Sequence, residues 1–152
     1  MFGDGRDKVC AFVNFDMEAV GSWAEKHNLP YAGYTDLASR QEVIDLIREC
    51  VEKVNADLAQ DPELANSQIH RFLILHKELD ADDGELTRSR KVRRGAIAEK
   101  YLELVSALYD GRKTVHIEVQ IKYEDGRTGM VSADLRAEEA KTFPPVPARK
   151  AA

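Results

Sequence analysis

Two short runs of apolar, β-prone residues constrain the fold of this 152-residue chain more than any other feature. Residues 9–15 read VCAFVNF, and residues 69–75 read IHRFLIL. Runs of this length that are apolar on both faces are typical of strands buried between other layers. The chain is therefore expected to build a small sheet with helices packed on it.

Three segments show the three- and four-residue spacing of apolar side chains that is typical of amphipathic helices. Asp16 is a suitable N-cap for the first segment, and Ser39 with Glu42 forms a capping-box pattern at the start of the second. Gly111 can close the third in the left-handed conformation. The predicted helices span about residues 17–27, 40–59 and 93–109, and residues 31–36 are predicted to be a turn-rich connection.

Residues 115–123 alternate between apolar and polar side chains, a pattern that predicts a half-exposed strand. Asp125-Gly126 is a hairpin turn signal, so a partner strand is expected at about residues 129–135. The last segment, residues 138–152, contains three prolines and is expected to be a disordered tail. The predicted fold is α+β: a small sheet with about three packed helices and a C-terminal β-hairpin.

Composition disfavours several classes of protein. The net charge is −5, whereas a dedicated nucleic-acid-binding domain is normally basic. No apolar run approaches the roughly 18 residues of a membrane-spanning helix, and residues 1–15 lack the apolar core of a secretory signal. Cys10 and Cys50 each stand alone, which favours reduced core thiols over a disulfide framework or a metal site. We therefore expect a cytoplasmic protein.

Residues 85–95, ELTRSRKVRRG, carry the strongest chemical signal in the sequence. Five of the seven residues from Arg88 to Arg94 are cationic, and they follow an acidic run within residues 80–85. This polar segment predicts an exposed loop that presents positive charge at the start of a helix. Its expected ligand is an anion such as a phosphate or a carboxylate.

Two other interpretations of this segment are disfavoured. A nucleic-acid patch would be interleaved with aromatic residues, and none occurs between Arg88 and Arg94. A calcium loop that began at Asp80 would need a glutamate at its twelfth position, where the chain has Lys91. The four histidines do not cluster at ligand spacing, so no metal site is predicted.

Residues 86–94, LTRSRKVRR, resemble the last signature motif of the adenylate-forming (AMP-binding) superfamily. They are most similar to the long-chain fatty acyl-CoA synthetase pattern Leu-Thr-x-Thr-x-Lys-x-basic-Arg, with Ser89 in place of the second threonine. The segments FGDGRD, FLIL and YEDGR extend the resemblance over residues 2–136. The resemblance implies that residues 1–137 are the C-terminal lid domain of a long-chain fatty acyl-CoA synthetase (ligase).

The resemblance also implies roles for individual residues. Lys91 would be the catalytic lysine of the adenylation step, placed between the fatty acid carboxylate and the α-phosphate of ATP. The candidate substrate-loop residues and phosphate or CoA contacts are Gly84, Glu85, Thr87, Ser89, Arg93 and Arg94.

The complete ligase would use a fatty acid, ATP and CoA, with Mg²⁺ accompanying ATP. In this superfamily the phosphate-binding loop and the adenine and acyl pockets belong to a large N-terminal domain, which is missing from this sequence and is expected to hold Mg²⁺. The chain is thus expected to be a fragment that binds no cofactor and is inactive alone. The parent enzyme is expected in the cytoplasm, either free or peripheral to a membrane.

Two alternatives remain open from the sequence. The chain could be a stand-alone interaction or regulatory module with the same fold, or the lid of another adenylate-forming enzyme. The family's first lid strand is also missing, which would leave the strand at residues 9–15 on an open sheet edge. Such an edge is expected to favour self-association of the fragment by strand pairing.

Overall fold

The computed structural model describes residues 1–122 and 125–147. Within these residues the chain forms four strands, five α-helices and a short 3-10 helix. In chain order they are β1 (Val9–Val13), α1 (Met17–Lys26), α2 (Tyr34–Ser39), α3 (Gln41–Ala59), the 3-10 helix (Ala65–Ser67), β2 (Ile69–Ile74), α4 (Arg94–Lys100), α5 (Leu102–Asp110), β3 (Thr114–Lys122) and β4 (Thr128–Glu139). This arrangement confirms the predicted α+β fold class.

The four strands form one mixed sheet in the order β1-β2-β4-β3. β1 runs parallel to β2, with Phe12 opposite Leu73 and Val13 opposite Ile74. β4 is antiparallel to both β2 and β3, so the last strand of the chain lies inside the sheet. β2 therefore has a strand on each side, and its largely apolar sequence reflects burial of both of its faces.

Helices cover both faces of the sheet. On one face, Phe72 and Ile74 pack in a core cluster with α1, α2 and α3. On the other, Leu73 and Leu75 pack in a second cluster with α4, α5 and the β3–β4 hairpin. Successive side chains of β2 thus enter two different cores. No helix in the described part of the chain has the length and apolar sequence that a membrane span requires.

The start of α3 differs from the prediction. Ser39 is the last residue of α2, a helix that begins within the predicted turn-rich connection at residues 31–36, and its hydroxyl donates to Asp36 O at 2.8 Å. Arg40 precedes α3 without capping it by its side chain. Its guanidinium pairs with Asp36 and donates to Pro30 O at 3.0 Å. The predicted capping box is therefore wrong, because α2 draws Ser39 and Arg40 into contacts of its own.

The third predicted helix is divided at Tyr101 into α4 and α5. Tyr101 has φ −110° and ψ 32°, outside the α-helical region. Its amide still donates to Ile97 O at 2.9 Å, whereas its hydroxyl donates to the buried carboxylate of Glu85 at 2.5 Å. The prediction of one uninterrupted helix at residues 93–109 is therefore wrong. Apolar spacing continues across the break, so periodicity alone does not reveal it.

The chain beyond Glu138 also differs from the prediction. β4 continues to Glu139, and the segment that follows lies along α3 and β2. Lys141 N donates to Glu52 Oε1 at 3.0 Å, and Phe143 N donates to Gln68 Oε1 at 2.7 Å. Side chains of α3 and of Gln68, just before β2, accept hydrogen bonds from backbone amides of this segment. The predicted disordered tail therefore does not describe residues 138–147. Residues 148–152 lie outside the described residues.

The outer edge of β1 is partly covered. Phe2 exchanges two backbone hydrogen bonds with Cys10, of 2.7 and 2.9 Å, on the side away from β2. Self-association through this edge remains a prediction. Cys10 is buried, as expected of a core thiol, but Cys50 is exposed on α3 and is not one.

Candidate functional site

The cationic segment lies in the loop that links β2 to α4. The first half of this loop, residues 80–85, is a tight turn in which Glu85 N donates to Asp80 O at 3.0 Å and Gly84 N donates to Ala81 O at 3.0 Å. Gly84 has φ +74°, a left-handed conformation that residues with a side chain rarely adopt. Its contribution to the site is therefore the shape of this turn.

Residues 86–92 then form a small hairpin, which we call the Lys91 hairpin, and an antiparallel bridge closes its ends. Thr87 N donates to Lys91 O at 2.8 Å, and Lys91 N donates to the Thr87 hydroxyl at 3.0 Å. The Thr87 hydroxyl also lies 3.0 Å from the Ser89 hydroxyl. Arg90 turns the chain with φ +63°. The Thr87 hydroxyl thus orders the backbone at Lys91, and the Ser89 hydroxyl contacts that hydroxyl.

The hairpin and the residues after it present their cations to solvent. The exposed cations are Arg88, Arg90, Lys91, Arg93 and Arg94. None of the five forms an ion pair with an acidic side chain in the part of the chain that the structure describes. Like charges that are not neutralised by the protein itself attract an anionic ligand.

The two arginines after the hairpin have different surroundings. Arg93 Nη1 donates to Gly84 O at 3.1 Å, so this side chain braces the loop from outside. Arg94 begins α4 and lines, with mainly apolar side chains that include Phe12 and Leu75, a pocket of about 250 Å³. The structure therefore brings Gly84, Thr87, Lys91 and Arg93 together, and Arg94 lies beside them.

Glu85 points inward, unlike the other predicted site residues. Its side chain is 1% exposed. Oε1 accepts from Lys77 Nζ at 2.5 Å and from Asp80 N at 3.1 Å. Oε2 accepts from the Tyr101 hydroxyl at 2.5 Å and lies 3.3 Å from Lys100 Nζ. A buried carboxylate with these partners is not placed to contact a phosphate, which it would also repel, so that candidate role does not fit Glu85.

The electrostatics of this cluster favour the charged forms. Burial acts to raise the pKa of Glu85, but hydrogen bonds from Lys77, Tyr101 and the Asp80 amide outweigh it and hold that pKa below its usual value. Burial acts to lower the pKa of Lys77, but hydrogen bonds to Asp83 and Glu85 leave that pKa raised. Burial, followed by the bond to Glu85, raises the pKa of Tyr101. The acid and its lysine are therefore ionised near neutral pH.

Sequence reasoning missed three partners of Glu85: Lys77, Tyr101 and Lys100. Tyr101 was recognised only as an apolar helix position, although a buried tyrosine usually finds a partner for its hydroxyl. Asn14 was missed as well. Its amide donates to Lys77 O at 2.8 Å and accepts from Leu79 N at 3.1 Å, which fixes the start of the loop. No local pattern marks these residues, because they come from separate elements.

A larger cavity, of about 480 Å³, lies between α2, α3 and β4. It contains none of the predicted site residues, and its charged groups already have partners. Asp36 pairs with Arg40, and Arg136 pairs with Glu138. In addition, no three His, Cys, Asp or Glu side chains of the described residues converge as metal ligands. The Lys91 hairpin is therefore the better candidate site.

Two mycobacterial ligases are similar to this chain. FadD15, a long-chain-fatty-acid–CoA ligase of Mycobacterium tuberculosis, is 29% identical over 109 residues, which are 71% of this chain and 17% of FadD15. The putative fatty-acid–CoA ligase fadD11 of the same species is 35% identical over 107 residues, 70% of this chain and 18% of fadD11. No family model matches the chain, and no solved structure matches it significantly.

The chain thus spans only 17–18% of the length of these relatives. The matches nevertheless agree with the resemblance that residues 86–94 carry, and the α+β fold around the hairpin agrees with it too. The chain is thus homologous to a part of these fatty-acid–CoA ligases, the part that corresponds to the C-terminal domain of an acyl-CoA synthetase.

Proposed function

We propose that this chain is the C-terminal lid domain of an ATP-dependent, AMP-forming long-chain fatty acid–CoA ligase, and that Lys91 is its adenylation lysine. The observation that carries the proposal is the Lys91 hairpin: it presents lysine and arginine charges to solvent without acidic partners among the described residues. The similarity to two fatty-acid–CoA ligases supports it.

The proposed reaction has two half-reactions. A carboxylate oxygen of the fatty acid attacks the α-phosphorus of ATP, the bond to the leaving pyrophosphate breaks, and acyl-AMP forms. The CoA sulfur then attacks the acyl carbonyl carbon, AMP leaves, and the thiol proton is released. The first step brings two anions together, so an ammonium group between them removes repulsion and stabilises the charge that builds on the phosphoryl oxygens.

Lys91 suits the first half-reaction. A lysine is a compact charge on a long flexible side chain, whereas the planar fork of an arginine must be aimed. Its exposed position lets it enter an active site on a larger domain, and a rotation of the lid would withdraw it before CoA reacts. We assign Arg93 and Arg94 a supporting role toward the phosphates of ATP or CoA.

The remaining parts of the reaction belong to a larger domain in this proposal. That domain would bind the fatty acid and ATP, and it would hold the Mg²⁺ that accompanies ATP. This chain contributes a cation and a cover over the active site. On its own it is therefore expected to form no acyl-AMP and no acyl-CoA.

The proposal can be tested in a chimera in which this chain replaces the matching segment of FadD15. Pyrophosphate release from ATP and palmitate reports adenylation, and acyl-CoA formed from supplied palmitoyl-AMP reports the second half-reaction. Lys91→Ala is expected to slow adenylation at least about 100-fold, and to change thioester formation less than about threefold. Lys53→Ala is the control, because Lys53 is an exposed lysine on α3, far along the chain from the hairpin.

Equal losses in both half-reactions would contradict the role of Lys91. A chimera that folds, as judged by circular dichroism, but forms neither acyl-AMP nor acyl-CoA would favour a stand-alone interaction module. Adenylation of a carboxylic acid other than a long-chain fatty acid, in a polypeptide that naturally carries this domain, would favour the lid of another adenylate-forming enzyme.

A further inference from the structure

Both ends of the Lys91 hairpin meet at one buried residue. Glu85 directly precedes the hairpin, and its backbone carbonyl accepts from Arg93 N, which directly follows it, at 2.9 Å. The Glu85 side chain lies beneath, with four donors around its carboxylate. The seven residues from Glu85 to Lys91 are therefore anchored to the domain interior mainly through the side chain and the backbone of Glu85.

We propose that Glu85 is a positioning residue for Lys91: its buried carboxylate, held by Lys77, Tyr101 and Lys100, fixes the direction in which the hairpin presents the lysine. This inference rests on the proposed function of Lys91 and deepens it. Glu85 takes no part in the chemistry and touches no substrate. It acts through the hairpin.

The donors of this anchor come from different elements, which is why it can fix a direction. Lys77 follows β2, and its backbone is held in turn by Asn14 after β1. Tyr101 stands between α4 and α5, and Lys100 ends α4. A carboxylate bound from the sheet side and from the helix side cannot shift without breaking bonds to one of them.

The hairpin itself has little else to hold it. Its exposed side chains contribute no ion pair among the described residues, and its internal bonds join Thr87 to Ser89, Arg90 and Lys91. Leu86 N also donates to Asp80 O, at the longer distance of 3.3 Å. Internal bonds preserve the shape of a hairpin but not its orientation toward a larger domain. Small errors in the position of a catalytic group cost large factors in rate, so the anchor is expected to matter for adenylation.

Lys77 extends the anchor to the acidic turn. Its ammonium group donates to Glu85 at 2.5 Å and to Asp83 at 2.6 Å, although the Asp83 side chain is 48% exposed. The turn at residues 80–85 is thus joined to the same lysine at two points. This explains the acidic run before the cationic segment: part of it neutralises Lys77 and holds the loop, and it need not bind a metal.

The first experiment measures loop order in the 152-residue chain by ¹⁵N relaxation. The variants are Glu85→Gln, which removes the charge with little change in size, and Tyr101→Phe, which removes one hydroxyl. Tyr109→Phe is the matched control, since its hydroxyl donates to Phe2 O and Lys8 O, neither of which belongs to the loop.

The order parameter of the Lys91 amide is expected to fall from about 0.85 to below about 0.6 in Glu85→Gln, to fall less in Tyr101→Phe, and to stay unchanged in Tyr109→Phe. The amides of Phe72 and Leu73 in β2 should keep their values in all three variants. An unchanged Lys91 amide in both loop variants would overturn the proposal. If Glu85→Gln does not fold, Tyr101→Phe decides between the two results.

The second experiment measures the two half-reactions in the FadD15 chimera. Glu85→Gln is expected to slow adenylation about tenfold or more while thioester formation from palmitoyl-AMP changes less than about threefold. A general loss of structure would slow both, and that result would overturn the proposal, as would no change in either.

The two experiments separate failure of this inference from failure of the proposed function. If Lys91→Ala leaves adenylation intact, the assigned role of Lys91 is wrong, and a positioning role for Glu85 toward catalysis is wrong with it, even where relaxation shows a looser hairpin. If Lys91→Ala abolishes adenylation but Glu85→Gln leaves the Lys91 amide ordered and adenylation unchanged, only the positioning role is wrong.

Discussion

The Lys91 hairpin and the β3–β4 hairpin are held in opposite ways. The β3–β4 hairpin is paired over nine residues a side, from Thr114 opposite Arg136 to Lys122 opposite Thr128. The Lys91 hairpin closes with one bridge and depends on the buried Glu85 below it. Many backbone hydrogen bonds therefore hold the β3–β4 hairpin in place, whereas one buried side chain holds the Lys91 hairpin. A single substitution should release the second without unfolding the first.

Ion pairs show the same contrast. Arg127 and Asp125, at the turn of the β3–β4 hairpin, pair at 2.5 Å with side chains that are 83% and 47% exposed. Lys77 and Glu85 pair at the same distance, with side chains that are 22% and 1% exposed. The buried pair costs more to break, because its charges have little access to solvent and the group that remains loses its shortest hydrogen-bonded partner.

Glu85→Ala is expected to have the largest effect on stability. It removes the buried carboxylate from two lysines and a tyrosine, and we expect the free energy of unfolding to fall by about 3–5 kcal/mol. Urea titration followed by circular dichroism measures it. Asp83→Ala, which removes the exposed partner of Lys77, is the control and should cost no more than about 1 kcal/mol. Equal losses in the two variants would contradict the dominance of the buried site.

Asn55→Ala tests a second buried polar side chain, one that carries no charge. The Asn55 side chain is fully buried, accepts from Ile69 N at 2.7 Å, and donates to Ile69 O at 2.8 Å and Lys141 O at 2.9 Å. We expect the free energy of unfolding to fall by about 2–3 kcal/mol, because backbone groups of β2 and of the C-terminal segment lose their hydrogen-bond partner.

Trypsin cleavage after Lys141 should also become faster in Asn55→Ala than in the wild type. Asn66→Ala, at an exposed asparagine of the 3-10 helix, serves as the control and should cleave at the wild-type rate. A C-terminal segment that resists trypsin equally in both variants would show that Asn55 does not hold it.

Two histidines should give opposite pH dependence in the two regions. Burial, then the charge on Lys77, lowers the pKa of His76 below its usual 6.5, with Lys100 acting in the same direction and Glu85 against it. The unfolded chain then binds a proton first, so the stability that neutral His76 provides is present above pH 6.5 and is lost as the pH falls. In His76→Phe the loss of stability below pH 6.5 should be smaller than in the wild type.

His116 on β3 has the reverse sign. Its hydrogen bond with Asp134 raises its pKa above 6.5, so the stability that it contributes is present below pH 6.5 and is lost as the pH rises through the folded-state pKa. Urea titrations between pH 5 and pH 8 measure the free energy of unfolding. His116→Gln should be less stable than the wild type at low pH and approach it at high pH, whereas the stability of His76→Phe relative to the wild type should rise as the pH falls. The same trend in both variants would contradict the assignment.

Asp125→Ala should have the smallest effect. It removes an exposed ion pair at a turn, and the change in unfolding free energy is expected to stay within about 0.5 kcal/mol, since solvent screens such pairs. Thermal unfolding followed by circular dichroism measures it. A loss comparable to that of Glu85→Ala would mean that the turn, and not the ladder, holds the β3–β4 hairpin.

Local pattern was enough to predict much of the fold. Helices near residues 17–27 and 40–59, both buried strands and the C-terminal hairpin follow from apolar spacing of 3.6 or 2 residues, which reflects which side chains face a core. The same local reasoning located the cationic segment and its motif. It went wrong at Ser39, whose hydroxyl bonds within α2, a helix that was not predicted, and at Tyr101, whose hydroxyl bonds Glu85 in the loop before α4.

The sequence by itself determined the fold class, the exposed cluster of charge at residues 86–94 and the relationship to the fatty-acid–CoA ligases. Each of these is written in contiguous residues. Only the tertiary structure decided that Glu85 faces inward while its neighbours face outward, and that residues 140–147 lie along α3. Burial of a charge or an amide depends on partners brought from distant parts of the chain, and no local spacing encodes where those partners meet.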